Sequence, residues 1–520
     1  MRNSETRASC FLNVIALGAF STVLIFVSMS QAGFFDREVS KTQLEIVLNG
    51  AASFLDSTQI RDNAGRGQNI NGEWANFIYP LTITPYVLRD DDRLLIPDSN
   101  MFVTAAILYP LYWINDKDGI LDQMRTSALK SIETYKRSEA FSFWPQYRNT
   151  KSGKILVGPL NFRVDEVIIS NSKPAAWASK VLGHFMPWVE QWMTEIMNAA
   201  KNPEQMASFF NVPNDADDTA VAMGSFAVNA ISKGGGHAPD LAPLNVITRF
   251  RDINRIKQDP RDTWTQKNSG AFLTWLKDEN LPTFGDSLSG VMPMGVNNVD
   301  CVVNANVLFA LAMNGQKEAP GFVETASYLS KVVQESRWLK QCALYYPQEY
   351  TFAYSVTRAY RDAEAQTPEL DVSMNQLMRD LLEKQTTSGS WLSKADGTAH
   401  YSTAMALVAL LNLGEERATK LNLANQYRVA LERGMALLNV EKKVRGSTRG
   451  DFQVKGFSWS PGLFFSAEDL RLGGWRSTAL SNAIVIEAIA KYTTNYHQSS
   501  IGFREWIKKP KNILVIKFKK

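Results

Sequence analysis

Six apolar segments of this chain open alike, with a small or β-branched pair followed by residues at helical spacing. They are MFVTAAILYPL from Met101, DDTAVAMGSFAV from Asp217, DCVVNANVLFAL from Asp300, FAYSVTRAYRDA from Phe352, HYSTAMALVALL from His400 and RSTALSNAIVIEAI from Arg476. Self-similarity of this kind marks units that bury their faces only against one another. Faces of Ala, Ser, Gly and Asn let helices approach closely and point to burial on most sides. Between them run longer, more charged amphipathic stretches, ILDQMRTSALKSIETYKR from Ile120, FVETASYLSKVVQES from Phe322 and NQYRVALERGMALL from Asn425, which suit an outer ring with one wet face. Aromatic turns precede most inner segments: GEWANF at Gly72, FSFWPQ at Phe141, AFLTW at Ala271, LYYPQE at Leu344, SGSWLS at Ser388 and FSWSPG at Phe457. Alternating inner and outer helices joined by such turns describe an all-α fold, an α/α toroid of six inner and six outer helices.

The interval 138–213 does not fit the repeat and is read as a helical insertion before the second inner helix. Within it, Trp177, Val181, Phe185, Trp188, Trp192 and Ile196 fall on one helical stripe between Pro174 and Ala200, for packing on the toroid or as a lid or membrane-facing surface. The toroid spans 33–500, preceded by 1–32, where Arg2 and Arg7 lead an uncharged run from Cys10 to Gln31 and Ser30-Gln31-Ala32 offers a cleavage site. That pattern reads as an export signal or an uncleaved anchor, so the body is expected outside the cytoplasm. With Cys10 in the signal, Cys301 and Cys342 are too few for a disulfide framework; they admit one bridge, and two buried free thiols are expected. The tail 501–520 mixes Trp506, Ile513, Leu514, Ile516 and Phe518 with seven basic residues. It reads as attachment to an anionic membrane surface or as a last element packed on the toroid. The formal charge of +4 comes from 56 basic and 52 acidic residues, with no concentrated basic face, and argues against nucleic acid as a partner.

The stretch VPNDADDTAVAMGSF from Val212 crowds Asp215, Asp217 and Asp218 at the start of the second inner segment. One reading is local: Asn214 or Asp215 is a good N-cap, and acids belong in the first helical turn. The other is chemical. Three adjoining carboxylates cannot all ionise cheaply, and burial disfavours the charged forms further, so a proton is retained. The helix N-terminus opposes this by favouring anions, at about 0.3–1 kcal/mol for an exposed site. Burial decides between them.

DADDTA, Asp215 to Ala220, resembles the D-x-D-D-T-A signature of class II terpene cyclases, the squalene-hopene and copalyl diphosphate type, and QTTSGSW, Gln385 to Trp391, is similar to their Q-x-x-x-G-x-W repeat. The resemblance implies an α/α toroid that protonates an alkene or epoxide of a polyprenyl-like lipid, with Asp217 as the general acid, Asp215 and Asp218 keeping its proton in place, and an aromatic cavity stabilising cations. Only one Q-x-x-x-G-x-W copy is complete, the portion before the acid motif is shorter than in that family, and export is foreign to it. Gln385 and Trp391 are scaffold in either case.

NNVDCVV from Asn297 aligns without gaps to NDADDTA from Asn214, placing Asp300 in register with Asp217. Asp300 is therefore a candidate for the same cavity mouth, or a second capped helix start. With Cys301 and His400 it is also similar to the zinc-binding set of protein prenyltransferase β-subunits. Adjacent helical side chains point about 100° apart, however, which argues against a zinc site. RDDDR at Arg89 reads as a solvated turn. No dinucleotide, P-loop or H-E-x-x-H motif is present, so no cofactor is expected. Besides a terpenoid cyclase, the pattern admits an exported toroid acting on a glycan through Asp217 and Asp300, or a non-catalytic toroid binding lipid, glycan or protein.

Overall fold

The computed structural model describes residues 39–61, 70–79, 96–148, 155–160, 211–277 and 296–518, apart from 266, 340–341, 394, 396–398, 446–447, 450–451, 454–455 and 467–473. The signal run, RDDDR at Arg89 and the stripe from Trp177 to Ile196 lie outside the described residues.

All six expected inner segments are helices: α2 (Met101–Leu111), α4 (Ala216–Ser232), α6 (Cys301–Met313), α8 (Glu349–Thr357), α10 (His400–Leu413) and α12 (Thr478–Thr493). Each packs on the next, and α12 packs on α2, so among the described residues the ring closes. Every residue of α6 and α10 is buried, as their small apolar faces require. Outside the ring, α3 (Ile120–Glu133) packs on α2, α7 (Phe322–Gln334) on α6 and α11 (Ala424–Val440) on α10, the three outer helices expected. Three more complete the layer: α1 (Lys41–Thr58) on α12, the short α5 (Ala242–Ile247) on α4, and α9 (Pro368–Glu383) between α7 and α10. Four inner helices begin at a side chain that caps their own first turn, Asn100, Asp215, Asp300 and Ser477. Among the described helices none is long and apolar enough to cross a membrane.

The aromatic turns join the layers. The indoles of Trp74, Trp391 and Trp459 donate to Leu55, Leu381 and Leu438 at 2.9, 2.7 and 2.9 Å. Each acceptor is among the last four carbonyls of an outer helix, where intrahelical donors run out; Leu55 O also accepts from the C-cap Gln59 N at 3.0 Å. The Gln385 amide bonds Gly389 O at 3.1 Å and Ala430 O of α11 at 2.8 Å, stapling successive outer helices. Gln59, Gly72 and Trp74 repeat this device, with the Gln59 amide on Gly72 O at 3.0 Å and Met124 O of α3 at 2.9 Å. The sequence hides this second copy because Gln59 and Gly72 are 13 residues apart, whereas Gln385 and Gly389 are 4 apart.

Gly389 is needed in this turn. Its φ of 86° is left-handed, and a Cβ there would sit 2.6 Å from Arg433 O. Gly389→Ala should therefore lower thermal stability more than Gly119→Ala, where φ is 73° but nothing lies within 4 Å. The comparator bears only the left-handed strain, about 1–2 kcal/mol. Equal melting shifts would show that the close approach has no energetic consequence.

Short strands cover one end of the ring. β1 (Asn76–Tyr79) and β2 (Ile96–Asp98) join β4 (Leu463–Ser466) and β5 (Gly474–Arg476) in one sheet, ordered β4-β5-β1-β2. The tail packs on the body. A short helix, Phe503–Ile507, leads to β6 (Leu514–Ile516), which pairs in parallel with β3 (Ile114–Asp116). Phe503 packs against Tyr109 and Trp113, and Trp506 against Tyr496, so these two rings of the tail are buried in the protein.

The cysteine expectation is corrected to the bridge that the pair admits. Cys301 and Cys342 form a disulfide rather than two free thiols. The start of α6 and the turn entering α8 lie side by side, with Cys301 N donating to Cys342 O at 3.1 Å and the Cα atoms 5.3 Å apart, within bridging range.

Candidate functional site

The acid motif opens α4. Asp215 is the N-cap and accepts from Asp218 N at 2.7 Å, so the capping reading holds for that residue. Asp217 does something different. Its Oδ1 accepts from the Asn306 amide of α6 at 2.7 Å, and its Oδ2 accepts from the Tyr346 hydroxyl in the turn before α8. All three carboxyls are buried. Burial, and then the negative charge of Asp215, push the Asp217 carboxyl up to about 7, against the lowering effect of its hydrogen bonds from Tyr346 and Asn306. Burial also raises Asp215, and burial with the Asp215 charge raises Asp218 well above the usual range. Desolvation thus exceeds the lowering by the Tyr346 and Asn306 hydrogen bonds and favours the neutral form of the Asp217 carboxyl.

Asp300 sits elsewhere in the register. It is the N-cap of α6, accepting from Val302 N at 2.7 Å and Val303 N at 3.0 Å, and it also accepts from Tyr345 N at 3.3 Å and from Leu344 N. Helix geometry therefore matches Asp300 to Asp215, and the ungapped alignment with Asp217 is shifted by two residues. Asp300 ties the start of α6 to the turn that carries Tyr346. The three zinc candidates are otherwise engaged: Cys301 is oxidised, Asp300 caps its helix, and His400 Nε2 lies 2.6 Å from Glu441.

The space at the centre of the ring is lined by every inner helix, with Phe102, Val221, Asn306, Tyr354, Tyr401 and Leu480 contributed by α2, α4, α6, α8, α10 and α12 in turn. Tyr346 and Arg358 line it as well. Asp217 lies just behind this wall, screened by its two partners. The volume is about 30 Å³, where one water needs about 10–15 Å³ on the same scale. An occupant larger than a few waters enters only if these rings turn aside. The sheet caps this end with aromatic rings: Phe102 stacks on Phe464 at 6.0 Å, Tyr346 meets Phe465 edge-on at 6.1 Å, and Phe465 meets Trp475 at 5.0 Å.

From Asn306 a buried polar chain crosses the ring. The Arg358 guanidinium donates to Asn306 Oδ1 at 2.8 Å, and Tyr354 donates to Glu487 at 2.9 Å. Lys491 pairs with Glu487 and with Asp362, each at 2.7 Å. Tyr109 and Tyr496 donate to Asp362 at 2.7 and 2.8 Å. Sequence reasoning singled out none of these as site residues. Its available signal was a polar or charged residue within an apolar run: Asn306 in VVNANVLFAL, Arg358 and Asp362 in FAYSVTRAYRDA.

No family model matches the sequence, and no curated protein matches it. Among solved structures, the chain is similar to a variant of the type II terpene cyclase MstE from Scytonema in complex with geranylgeranyl dihydroxybenzoate, at 12% identity over 87% of this chain and 98% of that one, with a TM-score of 0.50. It is also similar to ent-copalyl diphosphate synthase from Streptomyces platensis, at 13% identity over 75% of this chain and 50% of that one, with a TM-score of 0.38. A protein from Actinoplanes matches at 10% identity over 85% and 98%, with a TM-score of 0.43. The chain has a class II terpene cyclase-like fold.

Proposed function

We propose that the protein is an exported cyclase-like enzyme in which Asp217 starts the cyclisation or isomerisation of a polyprenyl-type lipid by protonating it. The observation that carries this reading is a buried carboxyl, raised to about 7, that bonds Asn306 and Tyr346 in an apolar, largely aromatic cavity wall. Alkenes are poor bases, so their protonation needs a neutral acid in a dry site. Tyr346 touches Asp217 Oδ2 and lines the cavity, so its hydroxyl hands the proton inward while accepting the one from Asp217. Asn306, whose amide is oriented by Arg358, bonds Oδ1 and leaves Oδ2 to carry the proton. Phe102, Tyr354 and Tyr401 supply aromatic rings to the lining, a residue type that stabilises positive charge. The apolar wall favours a lipid over a glycan. The neighbours' substrates support the class: one solved cyclase holds geranylgeranyl dihydroxybenzoate. Export is supported by the uncharged run from Cys10 to Gln31 and by the Cys301–Cys342 bridge, since disulfides persist mainly outside the cytoplasm. The exposed Lys508, Lys509 and Lys511 are the groups that would meet an anionic membrane surface.

The test is to incubate the purified protein with squalene, polyprenyl diphosphates and glycans across pH and identify products. Conversion of a terpenoid should fall as pH rises through about 7, where Asp217 loses its proton. Glycan cleavage without terpenoid conversion would sink the reading.

A further inference from the structure

Arg358 begins a π-helical turn, Arg358–Asp362, that continues α8, a local form found often at functional sites. Arg358 lines the cavity and is buried. Of its five N–H donors, one bonds Asn306 at 2.8 Å and one reaches Tyr354 Oη at 3.5 Å, while Nε has no partner among the described residues. The rings of Phe309, Tyr354 and Tyr109 hold the cation at 4.4, 5.1 and 5.3 Å. A buried charged donor left unsatisfied is costly, and in a cavity wall it is satisfied by whatever occupies the cavity.

The charges nearby decide what kind of group fits. Arg358 and Lys491 are cationic, Glu487 and Asp362 are their buried counter-charges, and the Lys491 pairs close at 2.7 Å. The set is balanced. An anionic group would add an unpaired charge to a dry site, which is expensive. A plain hydrocarbon would bury the Nε–H donor without an acceptor. An uncharged oxygen satisfies the donor and leaves the balance unchanged.

We infer that Arg358 is the recognition group for an uncharged hydrogen-bond-accepting oxygen, a hydroxyl, carbonyl or ether, on the lipid that occupies the cavity. This rests on the lipid reading of the cavity but not on Asp217 being an acid. It places a polar atom of the ligand within one side-chain amide of the acid, because Asn306 touches both Arg358 and Asp217.

The test is equilibrium binding to the full-length protein, followed by intrinsic fluorescence, with three probes of one chain length: geranylgeraniol, the corresponding tetraene hydrocarbon and geranylgeranyl monophosphate. The alcohol should bind at least about tenfold more tightly than the hydrocarbon, and more tightly than the phosphate. Arg358→Met should erase the preference by weakening the alcohol alone, and Arg358→Lys should retain part of it. Equal affinity for alcohol and hydrocarbon in the unchanged protein would mean that a water satisfies Nε, and would overturn the inference. So would tighter binding of the phosphate, or a preference that survives in Arg358→Met. The unchanged protein decides even if Arg358→Met does not fold. Failure of all three probes to bind would remove the lipid reading and this inference together. Selective binding of the alcohol without any conversion would leave the inference standing and remove only the proposed reaction.

Discussion

Asp217→Asn should abolish terpenoid conversion, lowering the rate by about 10²–10⁴-fold, the usual contribution of a positioned general acid, while the fold survives. Asparagine keeps the size of the side chain. Its carbonyl can still accept from Asn306, as the carboxyl does at 2.7 Å, and its amide can donate to the Tyr346 oxygen in place of the bond that Tyr346 donates to Oδ2. Asp215, not Asp217, caps α4, so the helix start is untouched. The variant should also change how stability depends on pH. The Asp217 carboxyl rises from 3.8 when free to about 7 when folded, so the folded chain binds more protons than the unfolded chain between those values. Its contribution is fully present below about 3.8 and is lost as pH rises through about 7. Melting temperatures measured from pH 4 to 8 should fall less steeply in Asp217→Asn than in the unchanged protein. Parallel curves would show that Asp217 is ionised in the fold, and terpenoid conversion that persists undiminished would exclude it as the proton donor.

Lys491→Met should be strongly destabilising, costing about 3–5 kcal/mol. The ammonium has no exposed surface, pairs with Glu487 and Asp362 at 2.7 Å, bonds Asn412 at 2.7 Å and sits 4.3 Å from the Trp113 ring centroid. Its removal strands two carboxylates in the middle of the ring. The same substitution at Lys420, an exposed partner of Glu416 at 2.7 Å, should have no measurable effect, since solvent screens that pair. The triple change Lys491→Met, Glu487→Gln and Asp362→Asn should recover much of the loss, because it leaves no uncompensated charge. Urea titrations of the three proteins read these differences. A loss that is undiminished in the triple variant would assign it to packing of the lysine stem.

The ring itself was readable because its rules are local. Small faces at helical spacing, a capping side chain two or three residues ahead of the amide it bonds, and an aromatic turn at each entrance act over a few residues, so DADDTA and SGSW carry them in any context. What those residues do beyond the turn depended on ring closure. Asn306 meets Asp217 across 89 residues and Tyr346 meets it across 129, pairings that no spacing rule contains. The same holds for the Cys301–Cys342 bridge, 41 residues apart, and for the shifted equivalence of Asp300 with Asp215, which appears only when the helix starts are seen. The sequence by itself determined an α/α toroid of six inner helices and placed three carboxylates at the start of the second. Tertiary structure alone decided that Asp215 is the cap and that the Asp217 carboxyl is raised, because desolvation, which raises a carboxyl, is a property of what the closed ring excludes from around it.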